Sequence, residues 1–313
     1  MINIALCFFD ADGSYHLHAG VTMQSVLANT DQPVCFHIVS KDLPRTSRHN
    51  LDKVAEPYGA RVLYYDESAL DMADVLHFLD KSSYFRRQFS RGAFYRLYLH
   101  TLTDLEKVIY LDCDVICNLD IAELYNIDLT GRMCAAVADK GIPKHIEKMQ
   151  FELGKYVNSG VLLLNLAWLR SNSRLLKSCT EKVLLNGSRF ADQDIVNSMA
   201  RESNYDSVQL LDERFNFISG TWLNDSAFAG KIAHLADRKP WAKWSNSSIQ
   251  YWKYYRLCPW GQDVFEKMSL LAADLDKLFL QQFSSKERRS LRRFLDLRRL
   301  GVLGYFRKRL FKS

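Results

Sequence analysis

Val108-Ile109-Tyr110-Leu111-Asp112-Cys113-Asp114 decides the reading of this chain. Four apolar residues, β-branched or aromatic for the most part, run straight into two carboxylates one residue apart. That pattern predicts a short buried strand ending in a polar loop. Side chains alternate along an extended backbone, so residues i and i+2 share a face. Asp112 and Asp114 therefore leave the strand side by side, where an α/β sheet keeps its ligand crevice. Adjacent carboxylates repel unless something positive joins them. A hard divalent cation that bridges to a phosphate-bearing ligand meets that need.

The spacing alone is common. At ordinary Asp usage D-x-D arises by chance roughly once in a chain of this size, and Asp10/Asp12, Asp192/Asp194 and Asp274/Asp276 repeat it here. The plain alternative for Asp112/Asp114 is a polar strand exit without a ligand. What gives the motif weight is its company.

Outward from that stretch, strand and helix signals alternate. Ile2–Phe9 reads as a strand, followed by a loop over Asp10–Ala19 and a helix over Val21–Asn29. Pro33–Val39 and Arg61–Tyr65 read as strands with a helix over 44–57 between them, and Arg91–Leu99 has helical spacing. Met133–Ala138 and Gly160–Leu164 add apolar strands, and Leu166–Leu185 and Gln193–Arg201 read as helices. The order predicts an α/β fold with a largely parallel sheet covered by helices and a site at the strands' carboxyl ends. Lys239–Trp260 gathers Trp241, Trp244, Trp252 and Trp260, which suit either a sugar platform or an aromatic cluster capping the surface.

The 313 residues can bury one large core or two modest ones, in the composition of an ordinary soluble globular protein. No apolar run approaches the roughly 18 residues of a spanning helix. Ile2–Phe9 lacks a basic leader and runs into Asp10, as a first core strand does and a signal peptide does not. Seven scattered cysteines without paired spacing predict structural thiols in a reducing cytoplasm. The overall charge of +6 is unevenly spread: Lys286–Ser313 holds eleven Lys and Arg against Glu287 and Asp296, a net +9 that leaves about −3 on the rest. Such asymmetry points to a polyanionic partner for the tail.

With these blocks in order, the chain resembles the family 8 retaining glycosyltransferases, most nearly the bacterial lipopolysaccharide glucosyl- and galactosyltransferases, with glycogenin and galactinol synthase further off. The resemblance covers roughly residues 2–245. It is carried by Asp12-Gly13-Ser14-Tyr15, Arg96 in Phe94-Tyr95-Arg96-Leu97, Tyr110-Leu111-Asp112-Cys113-Asp114 and Asp139. Then come Tyr156-Val157-Asn158-Ser159-Gly160-Val161, Asp192-Gln193-Asp194, Arg214-Phe215-Asn216-Phe217, and His234 with Lys239-Pro240-Trp241. Any one of these is common, whereas the ordered set is specific.

The resemblance implies a Rossmann-like GT-A fold, a UDP-hexose donor, and Mn²⁺ or Mg²⁺ held by Asp112, Asp114 and His234. One imidazole among oxygens suits Mn²⁺. It also implies nucleotide-sugar contacts at Asp12, Tyr15, Arg96, Asp112, Cys113, Asp114, Asn158 and Lys239, with the Tyr15 ring as a stacking face for uracil and Lys239 on the diphosphate. Sugar contacts fall to Asp139, Asn158, Ser159, Asp192 and Gln193, the last two nearest the chemistry. Taken singly, Arg96 reads equally as a helix-surface arginine, Asn158-Ser159-Gly160 as a turn, and His234 as an ordinary histidine. One departure stands out: the family's His-x-x-Gly-x-x-Lys-Pro-Trp is here His234-Leu-Ala-Asp-Arg-Lys239-Pro-Trp, without the glycine and one residue shorter.

Retention of configuration needs either a carboxylate close to the anomeric carbon or attack on the face the leaving group vacates. The residue the resemblance places nearest is Gln193, a poor nucleophile, which favours same-face transfer. In the tail, Leu291, Phe294, Leu295, Leu303, Phe306 and Leu310 recur near helical spacing among the arginines. A basic amphipathic segment of this kind suits an anionic membrane surface rather than nucleic acid. The sequence thus divides into a catalytic domain over 1–265 and a helical basic membrane-association region over 266–313. It points to a cytoplasmic enzyme, peripheral on the inner membrane, with a lipid-linked saccharide acceptor. The competing readings are a sugar nucleotidyltransferase, against which the single glycine in Asp10–His18 argues, and a non-catalytic membrane-docking protein on a transferase fold.

Overall fold

The structure is a computed structural model that describes residues 1–270 apart from 11–12, 82–89, 219–224, 237–238, 243–247, 265 and 269. Asp12, Trp244, Arg238 and the basic tail lie outside the described residues.

Strand β1 (Ile2–Cys7) is buried along its whole length, as expected of a run with almost no polar side chain to place in water. Helix α1 (Tyr15–Leu27) follows, then β2 (Val34–Val39), helix α2 (Arg45–Ala55) and β3 (Arg61–Tyr65). The α2 sequence is amphipathic, turning Ser47, Leu51, Val54 and Ala55 inward. Next come a short helix Gly92–Tyr95 that tightens into a 3₁₀ stretch Arg96–Thr101, then β4 (Lys107–Leu111) and β5 (Val115–Cys117). Beyond them lie β6 (Cys134–Ala138), β7 (Val157–Asn165), the helix Ala191–Glu202 and β8 (Val208–Leu210). Two short strands, β9 (Phe217–Ile218) and β10 (Ile232–His234), close the first part of the chain.

Seven strands form one sheet in the order β3-β2-β1-β4-β7-β6-β8. The expected parallel arrangement holds with one exception. Strand β7 runs against both β4 and β6, pairing Leu111 with Val161 and Ala136 with Leu162. Apolar periodicity marks a strand as buried without fixing its direction, so the reversal was not in the pattern. Its effect on the site is direct: the amino end of β7 lies beside the carboxyl ends of β4 and β6. The Asp112 N–H donates to the Gly160 carbonyl at 2.8 Å, and the Asp139 N–H donates to the Tyr156 carbonyl at 2.8 Å.

A second sheet, in the order β5-β10-β9, was not expected at all. Its strands are two or three residues long, too short for any alternation to show. Antiparallel pairing of β5 with β10 sets His234 opposite Val115, next to Asp114.

Other elements differ from the expected bounds. Helix α1 starts at Tyr15 rather than Val21, because His16 and His18, polar in sequence, are buried. His16 Nδ1 lies 3.3 Å from Asp10 Oδ2 and its Nε2 3.2 Å from Asn50 Nδ2. The single helix expected over Leu166–Leu185 is two, Leu166–Ser171 and Ser173–Leu185, broken at Asn172 whose amide donates to the Trp168 carbonyl at 2.8 Å. All seven cysteines are buried thiols, none in a disulfide. No helix among the described residues is long and apolar enough to cross a membrane.

The chain divides into two compact units, one formed by Met1–Ile218 with Phe228–His234, the other by the described parts of Ser219–Ala227 and Leu235–Ser313. In the second, the helix Ser248–Tyr255 buries Tyr251, Trp252 and Tyr255 against one another, with ring centroids 5.0 to 5.8 Å apart. These rings form an interior cluster rather than an open platform, with Trp241 half-buried beside Tyr251 at 5.5 Å.

The sheet itself carries a pH-sensitive contact. His37 on β2 is buried between Asn3 Oδ1 and the Tyr65 hydroxyl, each at 3.1 Å. Burial, helped by the Arg61 charge, pulls its pKa from 6.5 down to about 4. The folded protein thus resists a proton that the unfolded chain accepts, so stability falls as pH drops from about 6.5 towards about 4. Urea unfolding of the native protein and His37→Gln across that window is expected to show a steeper loss for the native chain. Parallel curves would contradict it.

Candidate active site

Asp112, Asp114 and His234 each offer one ligand atom, and these atoms all lie within 4.8 Å of one another. His234 Nε2 is 3.7 Å from Asp112 Oδ2 and 3.6 Å from Asp114 Oδ1. Asp114 and His234 are buried, while the Asp112 side chain stays 25% exposed and opens the cluster to solvent. Two carboxylates and an imidazole at this separation fit a divalent cation of the Mn²⁺ or Mg²⁺ kind.

The two oxygens of Asp112 have different work. Oδ1 takes the Tyr110 hydroxyl at 2.5 Å and the Arg96 guanidinium at 2.9 Å. Oδ2 is the oxygen that faces His234. Tyr110 on β4 and Asp112 just past its end sit two residues apart along extended backbone and so share a face.

Arg96 is the cationic centre of the site and not the surface arginine that its helical context also allowed; it is 6% exposed. It reaches Asp192 Oδ2 at 3.4 Å and the Ser159 carbonyl at 2.8 Å, and its guanidinium lies 4.3 Å from the centre of the Tyr110 ring. Burial alone would weaken its charge, but Asp112, then Tyr110 and Asp192, hold the proton more tightly than usual. Burial also pushes the Asp192 carboxyl above its ordinary range; Arg96 opposes that rise and Asp112 adds to it.

Asp192 and Asp194 show why the same spacing means different things on different elements. In the first turn of the helix Ala191–Glu202, residues i and i+2 do not face each other. Asp192 turns to Arg96 and the Ser159 hydroxyl, the latter at 3.2 Å. Asp194 turns the other way and is fully buried, accepting from the Tyr156 hydroxyl at 2.6 Å and from Ser188, with His145 Nε2 at 3.0 Å. It braces the helix and does not join Asp112, Asp114 and His234.

The sugar-contact candidates meet at the junction of β6 and β7. Asp139 Oδ2 accepts from the Gln193 amide at 3.0 Å and from the Asn158 amide at 3.1 Å, and Oδ1 accepts from the Gly141 N–H at 2.8 Å. The Ser159 N–H donates to Gln193 Oε1 at 3.0 Å. Asn158 Oδ1 accepts from the Gly160 N–H at 3.0 Å and the Asn216 amide at 2.8 Å. Asn158-Ser159-Gly160 is not a turn, since the three residues lie in β7.

Tyr15 stands half-buried at the start of α1, stacked on Phe8 at 5.9 Å. Burial, then Cys113, Asp114 and Asp112, hold its hydroxyl protonated. Asp10, for which the sequence suggested no role, accepts the Tyr15 N–H on its Oδ1 at 2.6 Å. Cys113 is buried between the two metal-ligand candidates in the chain. Lys239 belongs to the second unit, its ammonium 5.9 Å from the centre of the Trp241 ring.

A mixed sheet of this order, with paired carboxylates at the carboxyl end of a central strand, is the GT-A glycosyltransferase architecture. The family model for glycosyl transferase family 8 matches residues 6–245, and the chain belongs to that family. It is 26% identical over 278 residues to a lipopolysaccharide 1,2-glucosyltransferase of Escherichia coli, covering 82% of this chain and 79% of that one. A putative glycosyltransferase of Haemophilus influenzae is 26% identical over 217 residues, covering 67% of this chain. General stress protein A of Bacillus subtilis is 25% identical over 193 residues, covering 59% of this chain. The chain spans 62% and 63% of the length of these last two proteins. Among solved structures, galactosyltransferase LgtC in complex with donor and acceptor sugar analogues superimposes with a TM-score of 0.63 at 21% identity, covering 86% of this chain and 96% of that one. The bifunctional glycosyltransferase WbbM in its apo form gives 0.66 at 16% identity, covering 85% of this chain and 51% of that one. At these identities the structural likeness speaks for the fold.

Gly160 keeps the cluster closed. A Cβ there would stand 2.1 Å from His234 Cε1, 2.8 Å from Nδ1 and 2.9 Å from Asp112 Oδ2. No side chain fits, so Gly160→Ala must push the imidazole aside. We expect stability to fall by about 1–3 kcal/mol and the His234 ring resonances to shift. Unfolding curves and histidine NMR spectra matching the native protein would contradict that reading.

Proposed function

We propose that this protein is a metal-dependent, retaining hexosyltransferase that moves galactose or glucose from a UDP-sugar to a saccharide acceptor. The observation that carries the proposal is the convergence of Asp112, Asp114 and His234 at the carboxyl end of β4, with Arg96, Asp139, Asn158, Asp192 and Gln193 around them. The names of the lipopolysaccharide-directed relatives favour a lipopolysaccharide or lipooligosaccharide core, or a related surface glycan, as acceptor.

A divalent ion held by Asp112, Asp114 and His234 would supply positive charge to the diphosphate leaving group. The chain's own residues do the rest. Tyr15 offers a face for the base, and Asp12 and Lys239 complete the nucleotide grip, Lys239 on the diphosphate. Asp139, Asn158, Ser159, Asp192 and Gln193 hold the hexose. The bond from the anomeric carbon to the diphosphate oxygen breaks, and the acceptor oxygen bonds to that carbon on the same face. The acceptor's proton passes to the departing phosphate oxygen. Gln193 is held through both ends of its amide, by Asp139 and the Ser159 N–H, in keeping with support of an oxocarbenium-like state rather than nucleophilic attack. Asp192, tied to Ser159 and Arg96, keeps a binding role.

UDP release from a panel of UDP-sugars, with Mn²⁺, Mg²⁺ or EDTA and water as the acceptor, tests the activity. The expected result is metal-dependent release from UDP-galactose or UDP-glucose that Asp114→Ala lowers at least about 100-fold. No release and no binding of any UDP-sugar would contradict the proposal.

We further assign residues 1–265 to catalysis and 266–313 to docking on the anionic cytoplasmic face of the inner membrane, near a lipid-linked acceptor. Each cation close to such a surface contributes about 1 kcal/mol. The full chain is expected to float with phosphatidylglycerol vesicles. Arg292→Glu, Arg293→Glu, Arg298→Glu and Arg299→Glu together should release it while sparing UDP release. Unchanged flotation would contradict the docking role.

A further inference from the structure

The polarity of one hydrogen-bond chain can be read without ambiguity, because it is anchored by a backbone donor. The Gly160 N–H can only donate, so the atom of Asn158 it meets at 3.0 Å is the carboxamide oxygen. The Asn158 nitrogen then faces Asp139 Oδ2 at 3.1 Å, an acceptor, which agrees. With the Asn158 oxygen so placed, the group of Asn216 that meets it at 2.8 Å is the amide nitrogen. That leaves the Asn216 oxygen toward His234 Nδ1 at 3.0 Å. An oxygen with no hydrogen accepts only, so in the neutral imidazole Nδ1 carries the proton and Nε2 the lone pair. Nε2 is the nitrogen on the side of Asp112 Oδ2 and Asp114 Oδ1.

We propose that Asn216 is a positioning residue that fixes the tautomer of His234. Its carboxamide, set through Asn158 by the Gly160 N–H, turns the Nε2 lone pair toward the two aspartates. Asn216 and His234 are both buried, 3% and 4% exposed, so water does not easily offer the ring a substitute partner. The far end of the chain is equally fixed. Asp139 Oδ2 also accepts from the Gln193 amide, whose oxygen is held by the Ser159 N–H. Reversing either asparagine would set donor against donor or acceptor against acceptor at a buried position. The outer ring nitrogen of a metal-binding histidine characteristically donates to such a partner, and loss of that partner weakens metal binding about 10–100-fold. The consequence for metal affinity rests on the metal-dependent reading above; the tautomer does not.

The test uses the full chain with ¹⁵N-labelled histidine, metal-free and at mildly alkaline pH, with His234 assigned by difference from His234→Asn. Long-range ¹H–¹⁵N correlation is expected to show the Nδ1–H form in the native protein. Asn216→Leu is expected to lose that preference. Titration with Mn²⁺ alone, followed by electron paramagnetic resonance, is expected to show Asn216→Leu binding about 10–100-fold more weakly than the native chain. An Nε2–H form in the native protein overturns the inference, as does native Mn²⁺ affinity in a folded Asn216→Leu. The Nδ1–H form in a native chain that binds no Mn²⁺ supports the tautomer and overturns the metal reading instead.

Discussion

The site depends on one buried cation. Arg96 joins Asp112 at the end of β4 to Asp192, 80 residues further on at the start of a helix, and pins the backbone of Ser159 between them. Without it two carboxylates would face each other in a low-dielectric interior. Removing one member of a buried ionic cluster costs about 3–5 kcal/mol, because the partners left behind are uncompensated. The same contact gives Asp112 its asymmetry. With Oδ1 occupied by Arg96 and Tyr110, Oδ2 is the oxygen left to face His234.

Around that centre the fold solves a placement problem. Asp112, Asp114, His234 and the linked amides of Asn158, Gln193 and Asn216 come from separate parts of the sequence and meet at the carboxyl ends of β4 and β6. Reversal of β7 brings Asn158, Ser159 and Gly160 beside Asp112. The short β5–β10 pairing delivers His234 beside Asp114 from more than a hundred residues away. Both need close backbone approach, and Gly160 supplies the space that the imidazole fills. The polar groups brought together hold one another in fixed orientations, so the site is preorganised before any ligand arrives.

Much of this was legible in the sequence, and what was not has identifiable causes. Strands such as β1 and β4 announce themselves through unbroken apolar runs, and the carboxylate pair follows from alternation on β4. The ordered motifs named the side chains that the structure brings together around Asp112, while Asp12 lies outside the described residues and Lys239 belongs to the second unit. Direction was invisible, since β7 reads alike either way. So were β9 and β10, too short to carry a period, and hence the reason His234 reaches Asp114. Asn216 sat in a recognised motif without a role, because its role depends on the polarity of neighbours that only three dimensions place. Polar residues also misled: His16 reads as loop, yet is buried and partnered by Asp10 and Asn50.

Membership of glycosyl transferase family 8 and the transferase fold give this geometry its context, and the chemistry turns on whether the carboxylate pair and His234 hold a metal against a diphosphate. The most direct measurement is a crystal structure of the full chain grown with Mn²⁺ and UDP, with data collected at the manganese absorption edge. One anomalous peak is predicted per chain, bounded by Asp112 Oδ2, Asp114 and His234 Nε2 and in contact with the UDP diphosphate. UDP bound without such a peak, or a peak away from these three residues, would contradict the account.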